Sequence, residues 1–151
     1  MSVLVVDASV AVQWVFPEPH STEADAIVAR GHSLEAPDIL PLEFDSVLCR
    51  RVRRGELALA KAKTARIRFH EVPVRLHPTL DLLDEGFALA TRTGCTPYDC
   101  LYVVLAARMS GKMVTADARL CRNLAGTPLA KHVLWIGHIP PAEGRPLEPA
   151  P

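Results

Sequence analysis

Four acidic residues stand where their carboxylates can act together. Asp7 directly follows the apolar run 3–6, and Asp117 follows a later predicted strand in the same way. Glu43 and Asp99 each lie in the first turn of a predicted helix. In open parallel sheets, ligands bind outside the carboxyl ends of the strands. The order of the segments therefore predicts that all four carboxyl groups lie at one end of one sheet.

Such a cluster suits metal-assisted hydrolysis. Carboxylates that lie close together repel one another and raise each other's pKa, and a fold tolerates this when a cation compensates. Oxygen ligands from acids suit Mg²⁺ or Mn²⁺, which can activate water for attack on a phosphodiester. Each acid also has a purely structural explanation, because acids are favoured at helix N-caps and in first helical turns. The residues alone leave both interpretations open.

Short apolar runs, many of them β-branched, alternate with longer segments of helical character. The predicted strands are 3–6, 33–36, 71–74, 113–115 and 132–136. The predicted helices are 8–14, 21–30, 41–54, 58–69, 79–92, 97–109 and 118–124. Strands that alternate with helices in this way indicate an α/β fold with a doubly wound parallel sheet.

Residues of restricted conformation set several of these boundaries. Pro73 places the strand 71–74 at an edge of the sheet, because proline cannot donate a ladder hydrogen bond. Thr96 is the expected N-cap of the helix that Pro97 begins, and Gly111 is expected to end that helix. The same helix is apolar on most faces, so it is expected to be buried.

The composition describes a globular chain with an aliphatic core. The 151 residues are 49% hydrophobic and only 5% aromatic, which fits one domain. We expect this domain to span residues 1–139, followed by a proline-rich tail over 140–151. The longest apolar run, residues 100–107, is too short to cross a membrane. No secretory signal is expected, so the predicted location is the cytoplasm.

The charge is balanced overall but unevenly distributed. Residues 1–48 hold eight acids and one base, a net charge of −7, whereas residues 49–68 hold eight bases and one acid, a net charge of +7. A basic segment beside an acidic crevice can hold a phosphate backbone near a metal site. A charge run is equally typical of a solvent-exposed helical face. The candidates for phosphate contact are Arg50, Arg51, Arg53 and Arg54.

Four sequence blocks carry a resemblance to a known family. In chain order they are LVVDASVAVQWVFPEP at 4–19, PLEF, SVL and RRGEL between 41 and 57, TPYDCLY at 96–102, and VTADARL at 114–120. Their order and spacing resemble those of PIN-domain ribonucleases, specifically the VapC-type toxins of bacterial toxin–antitoxin pairs. The resemblance spans about residues 3–136.

This resemblance implies an α/β/α sandwich with a central parallel sheet and cleavage of RNA that depends on Mg²⁺ or Mn²⁺. Asp7, Glu43, Asp99 and Asp117 match the family's metal-binding acids. Thr115 matches a threonine whose hydroxyl helps to place water or metal. The four arginines named above then become candidates for RNA binding, because they lie on or next to the predicted Glu43 helix.

The resemblance also implies partners. It indicates a homodimer and a small cognate antitoxin of the VapB type, which wraps an apolar groove and covers the site. Candidates for lining that groove are Trp14, Val15, Phe16 and Phe44, for which an ordinary core position is the alternative. Ser46 departs from the family pattern, in which asparagine is frequent, so its contact to the glutamate of the same helix stays open.

Other interpretations make different demands on the sequence. A receiver-like signalling domain needs a paired acid near the first strand and a lysine after a late strand, and the chain has neither. A haloacid-dehalogenase phosphatase needs D-x-D after the first strand, which Asp7-Ala8-Ser9 lacks. A PIN domain that acts in RNA processing or decay without an antitoxin stays open, as does a catalytically silent binding module. A small open reading frame immediately upstream would favour the toxin.

Overall fold

A computed structural model of the chain describes residues 2–141. Within that range, five β-strands alternate with seven α-helices. The strands are β1 (Val3–Val6), β2 (Ser33–Pro37), β3 (Val74–His77), β4 (Lys112–Thr115) and β5 (Val133–Trp135). The helices are α1 (Ala8–Val15), α2 (Ser21–Ala29), α3 (Leu40–Arg53), α4 (Leu59–Glu71), α5 (Leu83–Thr93), α6 (Pro97–Arg108) and α7 (Ala118–Leu124).

All five strands are parallel, in the spatial order β3-β2-β1-β4-β5. The central strand is β1, in which Val5 pairs with Glu35 of β2 and with Met113 of β4. The chain adds β2 and β3 on one side of β1 and then crosses over to add β4 and β5 on the other. The strand order therefore reverses between β1 and β4, which is where ligands bind in sheets of this kind. The predicted doubly wound parallel sheet is confirmed.

Helices cover the sheet, which explains the uninterrupted apolar runs of its central strands. Val5 and Val6 of β1 and Met113 and Val114 of β4 are fully buried. Helix α6 packs on β1, β2 and β4, and α5 packs on α6, whereas α1 contacts α2, α3 and α4. A parallel sheet needs cover on both faces. The chain thus forms the α/β/α sandwich that the resemblance implied.

The third strand lies further along the chain than predicted. It begins at Val74 rather than at residue 71, because Glu71 still belongs to α4 and Pro73 cannot donate a ladder hydrogen bond. The predicted edge position of this strand, next to β2, is confirmed. The predicted helix 79–92 is also divided, into the short 3₁₀ turn Thr79–Leu82 and α5.

The end of α6 differs from the prediction. Met109 caps the helix, and Ser110, not Gly111, adopts a left-handed backbone with a φ of 52°. Gly111 serves close packing instead, because a Cβ atom at this position would lie 2.6 Å from the carbonyl oxygen of Val3. Glycine therefore allows the chain entering β4 to approach β1.

The predicted proline-rich tail lies mostly outside the described residues. Of its residues, the structure describes only Pro140 and Pro141, and the Pro141 carbonyl oxygen accepts a hydrogen bond of 3.2 Å from the Arg30 guanidinium. Within residues 2–141, no helix is both long and apolar enough to span a bilayer.

The substitution Gly111→Ala tests the close approach of β1 and β4. We expect it to lower the free energy of unfolding by about 1–3 kcal/mol, because the added methyl group overlaps backbone that cannot move aside. Urea unfolding measures the change. Ser110→Gly is the control, since glycine tolerates the left-handed backbone there, and it should stay within about 0.5 kcal/mol of wild type. An unchanged midpoint for Gly111→Ala would contradict this account.

Candidate active site

Two of the predicted acids end neighbouring strands at the point where the strand order reverses. Asp7 follows β1 and is the N-cap of α1, where its carboxylate accepts a hydrogen bond from the Val10 amide. Asp117 follows β4 and caps α7, where it accepts from the amides of Arg119 and Leu120. Both acids are therefore helix caps, as the structural explanation expected. Capping also holds their carboxylates at the carboxyl edge of the sheet.

The carboxylate of Asp7 is buried and held by two hydroxyl groups. The residue is only 7% exposed. Ser9 Oγ donates to Asp7 Oδ1 at 2.5 Å, and Thr115 Oγ1 donates to Asp7 Oδ2 at 2.6 Å. Charge-assisted hydrogen bonds of this length are strong and directional. They join the end of β1 to the end of β4 and fix the direction of both Asp7 oxygens.

The backbone of the β4 end keeps these two hydroxyls in their donor roles. Ser9 Oγ accepts a hydrogen bond from the Ala116 amide at 2.8 Å, and Thr115 Oγ1 accepts one from the Asp117 amide at 3.1 Å. Since a hydroxyl has a single proton, that proton is left for the Asp7 carboxylate. The sequence prediction includes Thr115 but omits Ser9. The sequence feature that could have identified Ser9 is a hydroxyl residue two positions after the acid that follows the strand.

Glu43 is positioned by a tyrosine that the sequence prediction also omits. The Tyr102 hydroxyl donates to Glu43 Oε1 at 2.7 Å, and Tyr102 is only 1% exposed. Tyr102 follows Asp99 by three residues on α6, so the two share a helix face. This spacing is the sequence feature that could have identified Tyr102. Ser46 is exposed, and among the described residues no hydrogen bond joins it to Glu43.

The four acids influence one another electrostatically. Burial raises the pKa of Asp7 to about 6, against hydrogen bonds that act in the opposite direction. Burial also raises the pKa of Glu43 and of Asp99. The negative charge of Asp99 adds to the rise at Asp7 and Glu43, and that of Asp117 adds to the rise at Asp99. Asp99 is therefore electrostatically linked to each of the other three acids.

Within residues 2–141, no basic side chain forms an ion pair with any of the four acids. Among residues 2–141, the ion pairs are Arg51–Glu18, Arg66–Asp45, Arg108–Glu85, His20–Glu23 and His77–Glu35. The four acids thus offer carboxylate oxygens without a counter-charge, and hard cations such as Mg²⁺ and Mn²⁺ prefer such donors.

Among the described residues, the four acids do not form a closed cage for a metal ion. Nowhere in the described chain do three His, Cys, Asp or Glu side chains converge closely enough to enclose a metal ion. Mg²⁺ does not need such a cage, because proteins usually hold it by one or two carboxylates while water and substrate phosphates complete the shell. The donor set therefore fits Mg²⁺ better than an ion that requires a closed protein site.

Two clefts open beside the acids, each with an arginine. The Glu43-side cleft is lined by Ala8, Ile39, Leu42, Glu43, Ser46, Val47, Arg50 and Tyr98. The Asp117-side cleft is lined by Gly94, Cys95, Thr96, Asp99, Asp117, Arg119, Leu120 and Asn123. Glu43 is thus accessible from one opening and Asp99 and Asp117 from the other, and each opening contains an arginine.

The PIN domain family matches residues 4–124 of the sequence. The chain belongs to this family. One relative, ribonuclease VapC3 from Pyrobaculum aerophilum, is 34% identical over 122 residues, which cover 80% of this chain and 93% of the relative. The family inferred from the four sequence blocks is therefore confirmed.

Solved structures agree with the architecture of this PIN domain. A protein of known crystal structure from Pyrobaculum aerophilum superimposes with a TM-score of 0.68 at 21% identity and covers 90% of both chains. A toxin–antitoxin complex from Klebsiella pneumoniae superimposes with a TM-score of 0.57 at 14% identity, over 87% of this chain and 95% of that one. At such low identities, the likeness shows the fold alone.

The four candidate arginines of this PIN domain point in different directions. Arg50 lines the Glu43-side cleft. Arg51 pairs with Glu18 at 2.9 Å and lies over the ring of Phe16. Arg53 lines a separate, mostly apolar groove between α3 and α4, and Arg54 caps the end of α3. The structure thus brings one of the four into the cleft that contains an acid.

Of the four residues predicted to line an apolar groove, three pack mainly against other parts of this chain. Phe44 is fully buried and stacks on Phe69 with ring centroids 4.3 Å apart. Val15 is buried as well, so the core alternative holds for both residues. Trp14 is half-buried, and its indole nitrogen donates to the Ala24 carbonyl oxygen.

The substitution Asp7→Asn tests the burial of this acid through the pH dependence of stability. Because the folded-state pKa of about 6 exceeds the usual 3.8, folding favours protonated Asp7. Its stabilising effect is complete below about pH 4 and is lost as the pH rises through 6. Asp7→Asn should therefore gain about 1–2 kcal/mol over wild type between pH 5 and pH 8.

Urea unfolding with EDTA at both pH values measures this gain. Asp84→Asn is the matched control, because Asp84 is an exposed acid in the first turn of α5. Its stability relative to wild type should not change between the two pH values. A difference between Asp7→Asn and wild type that is equal at pH 5 and pH 8 would argue against a raised pKa.

A double-mutant cycle tests the bond between Tyr102 and Glu43. We expect Tyr102→Phe and Glu43→Ala to show a coupling energy of about 1–3 kcal/mol in urea unfolding at pH 8, since the hydroxyl donates to a charged group. Tyr98→Phe removes an exposed hydroxyl and serves as the control, with no coupling to Glu43→Ala. Additive effects of Tyr102→Phe and Glu43→Ala would show that the bond does not contribute to stability.

Proposed function

We propose that this PIN domain is an endoribonuclease that requires Mg²⁺ or Mn²⁺ and acts as the toxin of a toxin–antitoxin pair. Membership of the PIN domain family and 34% identity to ribonuclease VapC3 confirm the prediction that the chain is a ribonuclease. The observation that carries the rest of the proposal is the cluster of four carboxyl groups at the carboxyl edge of the sheet, without a basic partner among the described residues.

One or two of the four acids at a time would hold the cation through carboxylate oxygens, and water and substrate phosphate would complete its shell. With Mg²⁺ or Mn²⁺ bound, the site would supply water of lowered pKa and stabilisation of the charge on the leaving oxygen. The chain itself contributes orientation. Ser9 and Thr115 fix both oxygens of Asp7, whereas Tyr102 holds one oxygen of Glu43 and leaves the other free. Groups oriented in advance need little reorganisation during the reaction.

Of the four predicted arginines, Arg50 is best placed to contact the substrate RNA near the site, because it shares a cleft with Glu43, as Arg119 does with Asp99 and Asp117. Arg51, Arg53 and Arg54 would extend the positive surface at the end of α3 and attract the phosphate backbone without touching the cleaved nucleotide. This substrate is consistent with the predicted cytoplasmic location.

The proposed protein partner is a small VapB-type antitoxin. In support, the Klebsiella pneumoniae structure that shares this fold is a toxin–antitoxin complex. The surface of this chain that suits an apolar segment of such a partner is the groove between α3 and α4. Its apolar part is formed by Leu48, Val52, Leu59 and Ala62. Two of the four residues predicted to line such a groove, Val15 and Phe16, border a second cleft beside α4. The homodimer stays a prediction from the resemblance.

A PIN domain that processes RNA without an antitoxin is the second candidate function. The family match and the acidic cluster suit it equally well. The gene immediately upstream separates the two, since a toxin requires a small open reading frame for its antitoxin.

Cleavage of total cellular RNA tests the proposal. We expect wild-type protein to yield discrete fragments with Mg²⁺ or Mn²⁺ and none with EDTA. Asp99→Asn should lower cleavage by more than the roughly 10- to 100-fold that loss of an outer contact to a metal ligand causes. The physical reason is that Asp99 is coupled to all three other acids. Gel analysis of end-labelled fragments gives the rate and the cleaved bond.

Asp84→Asn is the matched control for this assay, because it removes an exposed acid from the same part of a different helix. It should cleave like wild type. Fragments that persist in EDTA or with Asp99→Asn would rule out a metal site at these acids. A folded wild type that cleaves no cellular RNA would favour a binding module.

A further inference from the structure

We propose that the Glu43-side cleft is a nucleobase subsite, which takes the base next to the cleaved phosphate of a single-stranded RNA by stacking it on Tyr98. This inference rests on the proposed ribonuclease function and adds how the enzyme grips its substrate.

The cleft is continuous with the acidic cluster. Three elements meet there, and each contributes either an acid or the residue next to one. Ala8 follows Asp7, Tyr98 precedes Asp99, and Glu43 lines the cleft itself. A nucleotide whose phosphate lies at the acids would therefore have its flanking base at this opening.

The exposure of Tyr98 indicates a binding role. Tyr98 is 56% exposed, whereas Tyr102, one turn further along the same helix, is 1% exposed. Within the described chain, the Tyr98 hydroxyl makes no hydrogen bond and its ring makes no aromatic contact. The fold therefore gains little from this ring. Aromatic rings beside nucleic-acid sites stack on unpaired bases of any sequence.

The opposite wall of the cleft suits the rest of a nucleotide. Arg50 follows Glu43 by seven residues on α3, so both lie on one helix face about 10 Å apart along the axis. Unlike Arg51 on the same helix, Arg50 forms no ion pair within the described chain, so its guanidinium is available for a phosphate. Ser46 lies between them and offers a hydroxyl to a base or a ribose.

In this proposal the Asp117-side cleft holds the part of the RNA strand that lies beyond the cleaved phosphate. The Asp117-side cleft contains Arg119 and Asn123, both exposed, together with Asp99. A strand that enters along Arg50 and Tyr98 can thus leave along Arg119, with its cleaved phosphate at the acids between the two clefts. A double helix cannot place one base against Tyr98 without unpairing, so the substrate at this point is single-stranded.

Binding of a labelled oligoribonucleotide tests the subsite. The probe is a uridine strand of about 12 nucleotides, within the site size of single-strand-binding proteins. The comparison strand has the same length and abasic ribose at every position. Fluorescence anisotropy with EDTA present, which stops metal-dependent cleavage, gives the dissociation constants.

Removal of the Tyr98 ring should weaken the binding only of a strand that carries bases, because only a base can stack on the ring. We expect Tyr98→Ala to bind the uridine strand about 5- to 100-fold more weakly than wild type, and Tyr98→Phe to bind it within about twofold. Both variants should bind the abasic strand like wild type. Phe87→Ala is the matched control, because Phe87 is an exposed aromatic residue of α5 outside both clefts, and it should bind both strands unchanged.

The salt dependence of binding, compared between two arginine variants, provides an independent measurement. Arg50→Gln should make the negative slope of log affinity against log salt shallower by about 0.7, as the loss of one phosphate contact to a single strand does. Arg92→Gln is the control, because Arg92 is an exposed arginine of α5 outside both clefts, and it should leave that slope unchanged.

Three results would overturn the inference. If Tyr98→Ala binds the uridine strand within twofold of wild type, the cleft holds no base, although cleavage by wild type would still support the ribonuclease. An equal loss on the uridine and abasic strands would show that the ring contacts the ribose–phosphate backbone rather than a base. A folded wild type that neither binds nor cleaves RNA would overturn both proposals.

Discussion

The burial of the Asp7 carboxyl is the constraint on which the rest of the site depends. Asp7 ends the central strand at the point where the strand order reverses, so helices and strands surround it. Burial favours its neutral form and raises its pKa to about 6. The charged form is stabilised by donors from outside β1, first Ser9 of α1 and then Thr115 of β4. The site and the pairing of β1 with β4 are therefore one structural unit.

A second long-range bond completes this arrangement. Tyr102 of α6 reaches Glu43 of α3, so helices from different parts of the chain are held in a fixed relation at the acids. The clustered carboxyls oppose folding, because Asp99 raises the pKa of Asp7 and of Glu43 and Asp117 raises the pKa of Asp99. Local destabilisation of this kind is common where a site must bind a charged ligand. The aliphatic core around β1 and α6 provides the stability that compensates for it.

The two clefts beside the acids differ in the groups that they offer to a ligand. The Glu43-side cleft offers an aromatic ring and a free guanidinium, whereas the Asp117-side cleft offers a guanidinium and an amide. Glu43 lines the first cleft and Asp99 and Asp117 line the second, so a strand that follows both positive openings passes these three acids. Membership of the PIN domain family accounts for the fold. The choice of RNA would depend on the residues around the acids.

Local sequence determined the elements and the identity of the acids. The run 3–6 predicts β1, the Thr96-Pro97 pair predicts the start of α6, and α7 has its predicted bounds, because caps and apolar periodicity act within a few residues. The third strand was misplaced, since pairing with β2 decides where it begins.

Only the tertiary structure decided which side chains meet. The roles of Ser9 and Tyr102 depend on segments about 106 and 59 residues away. The rotation of α3 sends Arg50 into the cleft and Arg53 away from it, and it turns Phe44 into the core. A sequence pattern gives the period of a helix but not the surface against which it packs. Contacts between distant segments are settled when those surfaces come together.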